Sequence, residues 1–274
     1  MSQPKAPVIK RLSRLARMAA WLLRTGRNLR SIDGNDDIQR NRALTDLGAG
    51  CLAALDIRLD VRTPPGHRQE QGALIVSNHV SWLDIFAMSA LAPASFIAKQ
   101  EIRDWPVLGK MGTNAGTVFI NRNARKEIGP TNAAIADALT KGRNVSFFPE
   151  AKTTLGVEVI PFKAALFQAA IDSRATIQPM SLRYYDQNGK RTTVPSYAGS
   201  MNLFKSLWRI VSMPELVIRA DFAEPVDTAA HPEKDRYALR DMAEEFVRAK
   251  VMEDSPLNGE AVPAEKDTRA QNAA

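Results

Sequence analysis

The sequence predicts an α/β protein, a mostly parallel sheet flanked by helices and preceded by a basic amphipathic helical arm. Three observations predict it. From about residue 73 onward, short apolar runs alternate with helix-patterned segments, as strand–helix layering requires. The runs themselves are nearly free of charge, which suits a largely buried sheet. The excess of positive charge is confined to the first thirty residues, apart from everything that follows.

The arm comes first. Residues 1–30 hold Lys5, Lys10, Arg11, Arg14, Arg17, Arg24, Arg27 and Arg30 and no acid, against a net +7 for the whole chain. The remainder is therefore close to neutral. Val8, Leu12, Leu15, Ala19 and Leu22 recur at helical spacing. Lys10, Arg14, Arg17 and Arg24 project from the opposite side, with Trp21 among them. Two readings stand: an interfacial anchor, to which each cation adds about 1 kcal/mol near an anionic leaflet before screening, or a solvated helix packed on the domain.

"SIDGNDD" (31–37) reads as the turn that ends this helix, and residues 38–58 resume a helical pattern. Pro64, Pro65 and Gly66 then break the chain. Next come a strand at 73–77 ("ALIVS"), a helix at 81–91, and strands at 95–98 and 116–120. A helix at about 126–140 precedes "NVSFF" (144–148), and a helix at about 163–173 precedes "TIQPMSLRY" (176–184). "LVIRADF" (216–222) adds a late strand and 234–252 a closing helix. The division expected is an N-terminal helical membrane-association region at 1–62, the main domain at 63–252, and a disordered tail rich in Ala, Pro, Asn and charge at 253–274.

Several classes are excluded at this level. Cys51 is the only cysteine, so no internal disulfide forms and a reducing compartment is the natural home. The longest uncharged run, Ile85 to Ala98, has fourteen residues and contains Pro93, short of the eighteen or so that span a bilayer. No cleavable signal is evident, so the chain is expected to stay inside the cell. Positive charge at one terminus, 7% aromatic content and the lack of a base-stacking motif argue against nucleic acid. His67, His79 and His231 are the only histidines, too few for a histidine-rich metal site.

The chemistry concentrates in "VSNHVSWLDI" (76–85). Asn78 and His79 sit on the turn after a strand, and Ser81 with Asp84 fits a helix-start signature in which the serine caps. That duty accounts for Ser81 and leaves His79 unexplained. A histidine just before a helix and an aspartate in its first turn can meet, the acid fixing the imidazole tautomer and stabilising the imidazolium. Such a pair serves as a general base on a hydroxyl. Arg122 ends the strand in "GTVFINR" and Glu150 ends the one in "FFPEAKTT". In an open α/β sheet, strand-ending polar groups converge at one rim. A salt bridge for Arg122 and a loop charge for Glu150 are the plain alternatives for each residue alone.

"NHVSWLD", "GTVFINR", "FPEAKTT" and the proline of "IQPMSL" resemble, in order and spacing, the four blocks of the glycerolipid acyltransferase family. The resemblance covers roughly residues 70–185. Flanking "AKQEIRDWPVLGKMG" and "PFKAALFQAA" look like the bacterial lysophospholipid branch, which includes lyso-ornithine lipid acyltransferases. It implies a glycerolipid acyltransferase-like fold with residues 63–252 as the acyltransferase domain. It implies His79 as general base and Asp84 as the residue that orients it. Asn78, Gly116, Arg122, Glu150, Lys152 and Pro179 form the implied substrate-binding set. Arg122 would hold an anionic head, Glu150 would help to bind the acceptor and Pro179 would shape the acyl pocket. No metal or organic cofactor is implied. The third block departs from the family's Phe-Pro-Glu-Gly-Thr: Ala151 replaces the glycine and Lys152 the threonine. If the glycine serves a positive φ, alanine is strained there.

The expected activity is O-acyl transfer from acyl carrier protein or acyl-CoA to a lysolipid. The first acceptor is 1-acyl-sn-glycerol 3-phosphate, giving phosphatidic acid; lyso-ornithine lipid is the alternative. Residues 1–30 would hold the enzyme on an anionic membrane, at the cytoplasmic face of the bacterial inner membrane. A non-catalytic membrane binder is the rival of another class. A serine hydrolase built on Ser81 is disfavoured, since no Gly-x-Ser-x-Gly elbow occurs.

Overall fold

An arginine decides how the arm meets the rest of the chain. In the computed structural model, residues 4–28, 36–64, 68, 71–99, 103–104, 112–113, 117–120 and 128–259 are described. Helix α1 (Val8–Asn28) packs on α2 (Asp37–Ala54) and on α6 (Leu203–Val211). The face it turns inward carries Arg14, Met18, Trp21 and Thr25, while Arg17 and Arg24 of the side read as basic stay exposed. Arg14 is buried; its guanidinium donates to the carbonyls of Val211 (2.9 Å) and Met213 (2.5 Å) and pairs with Asp56 at 3.1 Å. These carbonyls close the C-terminus of α6, where a cation is favoured by the helix dipole. Trp21 and Met18 are buried beside it, while Val8, Ile9, Leu12, Leu22 and Leu23 stay exposed. The helix packs on the domain, with Leu15 of its stripe against the core and Val8, Leu12 and Leu22 left exposed.

The continuation at 38–58 needs correction. Helix α2 stops at Ala54, Asp56 takes φ 54°, and strand β1 (Ile57–Arg62) follows. "IRLDVR" pairs only with β7 (Leu216–Phe222) among the described residues and is an edge strand. Charged residues tolerate that position, which is why the sequence carries no apolar run there.

The remaining strands are β2 (Ala73–Ser77), β3 (Ser95–Lys99), β4 (Val118–Ile120), β5 (Val145–Phe147), β6 (Thr176–Tyr185) and β8 (Val226–Asp227). The order is β1-β7-β6-β2-β5-β3-β4, with β8 also on β6. From β6 to β4 all neighbours are parallel; β7 turns antiparallel to β6 and carries β1 with it. The sheet is mixed but mostly parallel, as expected.

Alternation along β2 separates two cores. Ala73 and Ile75 face Leu52, Leu83, Met88 and Ile210, from α2, α3 (Leu83–Leu91) and α6. Leu74 and Val76 face α4 (Ile128–Thr140), α5 (Gln168–Ser173) and α7 (Arg236–Met252) through Ile135, Ala170 and Val247. Each fully buried Leu, Ile or Phe contributes about 1.5–3 kcal/mol.

Pro179 lies inside β6, where a proline removes a ladder donor. The gap is covered locally. Opposite it, Ala223 still donates its N–H to the Pro179 carbonyl (3.0 Å), and Gln178 Nε2 supplies the hydrogen that the proline cannot, to the Ala223 carbonyl at 2.9 Å. The tail also departs from expectation. Glu253 and Asp254 pair with the buried Arg183 at 2.9 and 3.1 Å, and Pro256–Gly259 form a 3₁₀ turn. A buried guanidinium requires carboxylate partners, and those two acids order the chain past 253. Residues 260–274 lie outside the described residues.

Candidate active site

Strands β2 and β5 are parallel, with Val76 opposite Phe147. Three residues beyond each, at the carboxyl rim, stand His79 and Glu150. The His79 backbone N–H donates to Glu150 Oε2 at 2.6 Å, and Glu150 Oε1 accepts from Ile160 N–H at 3.1 Å. Glu150 is 3% exposed. Burial outweighs the two amide donors and pushes its carboxyl up to about 7. Glu150 therefore reaches the site through the backbone of His79.

The His79 ring is held on two sides and its backbone at one more point. Nδ1 lies 2.9 Å from Asp84 Oδ2, the His79 carbonyl accepts from Thr154 N–H at 2.8 Å, and the ring stacks on Phe148 at 3.8 Å with planes 6° apart. Its side chain is 18% exposed. With Nδ1–H donating to the carboxylate, Nε2 retains its lone pair, and no hydrogen bond engages it among the described residues.

Asp84 is completely buried. Its Oδ2 also accepts from Val80 N–H (2.7 Å) and Ser81 N–H (2.8 Å), and its Oδ1 accepts the hydroxyl of Tyr184. A carboxylate taken out of water needs this number of donors. Burial, and next the Asp84 charge, raise the Tyr184 phenol well above its usual value, so it stays a donor. The expected serine cap is corrected here. Helix α3 begins at Leu83, and the Ser81 hydroxyl accepts only a long 3.4 Å bond from Leu83 N–H. The acid's half of the capping box is the half that forms.

The structure distributes the other expected residues. Asn78 is fully buried and clasps Leu182 of β6, Oδ1 accepting from its N–H (2.8 Å) and Nδ2 donating to its carbonyl (2.9 Å). Its carboxamide extends the β2–β6 ladder and does not face the cleft. Pro179 is likewise buried within β6. Lys152 is exposed on the loop after Glu150. Ala151 adopts φ 60°, the left-handed conformation raised by the sequence reading. Gly116 and Arg122 lie outside the described residues. An apolar groove of about 240 Å³ borders Phe148, with Ile97, Pro149, Ala165 and Leu166 among its walls.

Sequence reasoning missed Tyr184, Phe148 and Thr154. The repeated aromatics of "SFFPE" and "RYYD" were the available signals, but only strand register shows which ring meets which acid.

A buried carboxylate orienting an imidazole with a free nitrogen at the rim of an α/β sheet has the geometry a general base needs, and the chain belongs to the acyltransferase family, whose model matches residues 58–183. It is 58% identical over 258 residues to the 1-acyl-sn-glycerol-3-phosphate acyltransferase of Neisseria meningitidis serogroup B, covering 94% of this chain and 99% of that one. It is 36% identical over 202 residues to the lyso-ornithine lipid O-acyltransferase of Brucella abortus, covering 69% and 74%. The fold matches the crystal structure of the 1-acyl-sn-glycerophosphate acyltransferase PlsC from Thermotoga maritima with TM-score 0.64, over 93% and 98% of the two chains at 18% identity. Family membership removes the non-catalytic alternative: the chain is an acyltransferase.

Proposed function

We propose that the chain acylates the free hydroxyl of 1-acyl-sn-glycerol 3-phosphate, giving phosphatidic acid, with a thioester of acyl carrier protein or CoA as donor. The observation that carries this reading is the His79–Asp84 pair at 2.9 Å with Nε2 open. Nε2 takes the hydroxyl proton while the acceptor oxygen attacks the thioester carbonyl. Asp84 stabilises the imidazolium, the tetrahedral intermediate collapses, and the proton passes to the departing thiolate. Glu150 and Phe148 hold the imidazole against the rim. Arg122 is the cation assigned to the acceptor phosphate. The groove beside Phe148 suits an acyl chain by its lining. The phosphate acceptor is preferred because the nearer of the two relatives carries it in its name; lyso-ornithine lipid is the competitor.

The exposed stripe of α1 supports a peripheral membrane position, at the cytoplasmic face of the inner membrane. No helix among the described residues is long and apolar enough to cross a membrane.

Purified protein incubated with acyl-carrier-protein or CoA thioester and each acceptor tests the reading. His79→Ala is expected to lower kcat by about 10²–10⁴-fold. A folded His79→Ala protein with wild-type turnover removes His79 from this role, and exclusive acylation of lyso-ornithine lipid replaces the acceptor.

A further inference from the structure

A second exposed apolar surface lies on α6. Leu203, Phe204 and Trp208 are 52%, 85% and 52% exposed, whereas Ser206, Ile210 and Val211 are buried. Single exposed apolar residues need no explanation, but a cluster on one helix face does. Helix α6 packs beside the start of α1. Ala6 N–H donates to Ser212 carbonyl at 2.8 Å and Lys10 Nζ to Pro214 carbonyl at 2.9 Å, so the two elements form one unit. Arg11 sits on the border of the α1 stripe, with its guanidinium 5.8 Å over the Trp208 ring.

Cations outnumber acids around this surface, where Asp56 is held by Arg14 and Arg17 of α1 at 3.1 and 2.6 Å. Helix α6 contains Lys205 and Arg209 and no acid, and residues 4–28 contain no acid either. Between residues 4–5 and α6 runs a groove of about 270 Å³ flanked by Lys5, Trp208 and Arg209, again without an acid. A second copy is a poor occupant, because a two-fold contact would set these cations against themselves. An anionic lipid surface satisfies both the apolar face and its cationic border.

The inner side of α6 is tied to the site. Trp82 Nε1 donates to Ser206 Oγ at 3.0 Å, two residues from Asp84 in sequence, and Tyr197 N–H donates to the Val80 carbonyl at 2.8 Å. We propose that α6 is a second membrane-contacting element, laying Leu203, Phe204 and Trp208 into an anionic bilayer beside α1 and so fixing the depth of the His79–Asp84 turn relative to the lipid. The proposal rests on the lipid-acceptor reading above and adds a surface to it.

Partition of the full chain onto phosphatidylethanolamine–phosphatidylglycerol vesicles, read by sedimentation without substrate, tests it. Phe204→Ser, at an exposed position, is expected to weaken partition about tenfold, and Leu203→Ser similarly. Brominated lipid is expected to quench wild-type tryptophan emission more than that of Trp208→Phe. Wild-type partition by both serine variants, or equal quenching with and without Trp208, overturns the proposal. So does a wild-type dimer in vesicle-free solution that Phe204→Ser converts to monomer. Because no turnover is measured, a failed acyl-transfer assay and a failed partition assay are separate results.

Discussion

Tyr184 donates its phenol hydrogen to Oδ1 of Asp84 across a sequence separation of 100 residues, with both side chains buried. The bond comes from β6, the neighbour of the strand that presents His79. Asp84 is thus anchored at one oxygen by its own turn and at the other by the sheet. The acid that orients the imidazole is itself oriented.

Tyr184→Phe leaves Oδ1 without its donor while conserving the ring. Stability is expected to fall by about 1–3 kcal/mol, the range for a buried acceptor left unpaired. If the bond also positions Asp84, kcat drops on the order of tenfold with KM for the acceptor little changed. Urea denaturation and steady-state kinetics on the same preparation separate the two. A stability loss with unaltered kcat makes Tyr184 a packing residue only.

The pair His79–Asp84 was legible because both members lie within one strand–turn–helix stretch, where spacing alone brings them together. The buried strands were legible for a similar reason, since continuous apolar runs such as "ALIVS" have few other destinations. What escaped was decided by distant partners. No pattern in the sequence shows that the two oxygens of Glu150 accept from the N–H groups of His79 and Ile160. Asn78 reads as part of a turn, yet it extends a ladder to Leu182. The arm's periodicity was correct, but helical spacing cannot tell which face meets the domain. Arg14 settled that by reaching the carbonyl end of α6, a helix for which no sequence signal had been identified.

Ala151→Gly is expected to stabilise the protein. A non-glycine residue in the left-handed region costs about 1–2 kcal/mol, and Ala151 stands at φ 60°. Glycine removes that strain but enlarges the unfolded ensemble, which returns about 0.5–1 kcal/mol. The net gain is up to about 1.5 kcal/mol, visible as a higher urea midpoint at unchanged slope. An unchanged or lower midpoint means that the surrounding turn favours the alanine for another reason.

Glu150 sets the remaining expectation, for stability against pH. Its carboxyl sits at about 7 in the folded chain against an ordinary value of 4.5, because burial disfavours the charge more than two backbone amides favour it. Between those two pH values the native state keeps a proton that the unfolded chain has released. Unfolding is therefore drawn forward as pH rises from about 4.5 to 7, and the loss is complete above that window, on the order of 3 kcal/mol. Below 4.5 both states are protonated and the group contributes no slope. Glu150→Gln is neutral at every pH and keeps an acceptor for His79 N–H, so it lacks this slope. Urea denaturation of both proteins from pH 4.5 to 8 is expected to show the variant gaining on the wild type through the window, since other titrating groups cancel in the comparison. Parallel curves would mean that Glu150 ionises like a solvated carboxylate, and that water reaches the back of the His79 turn.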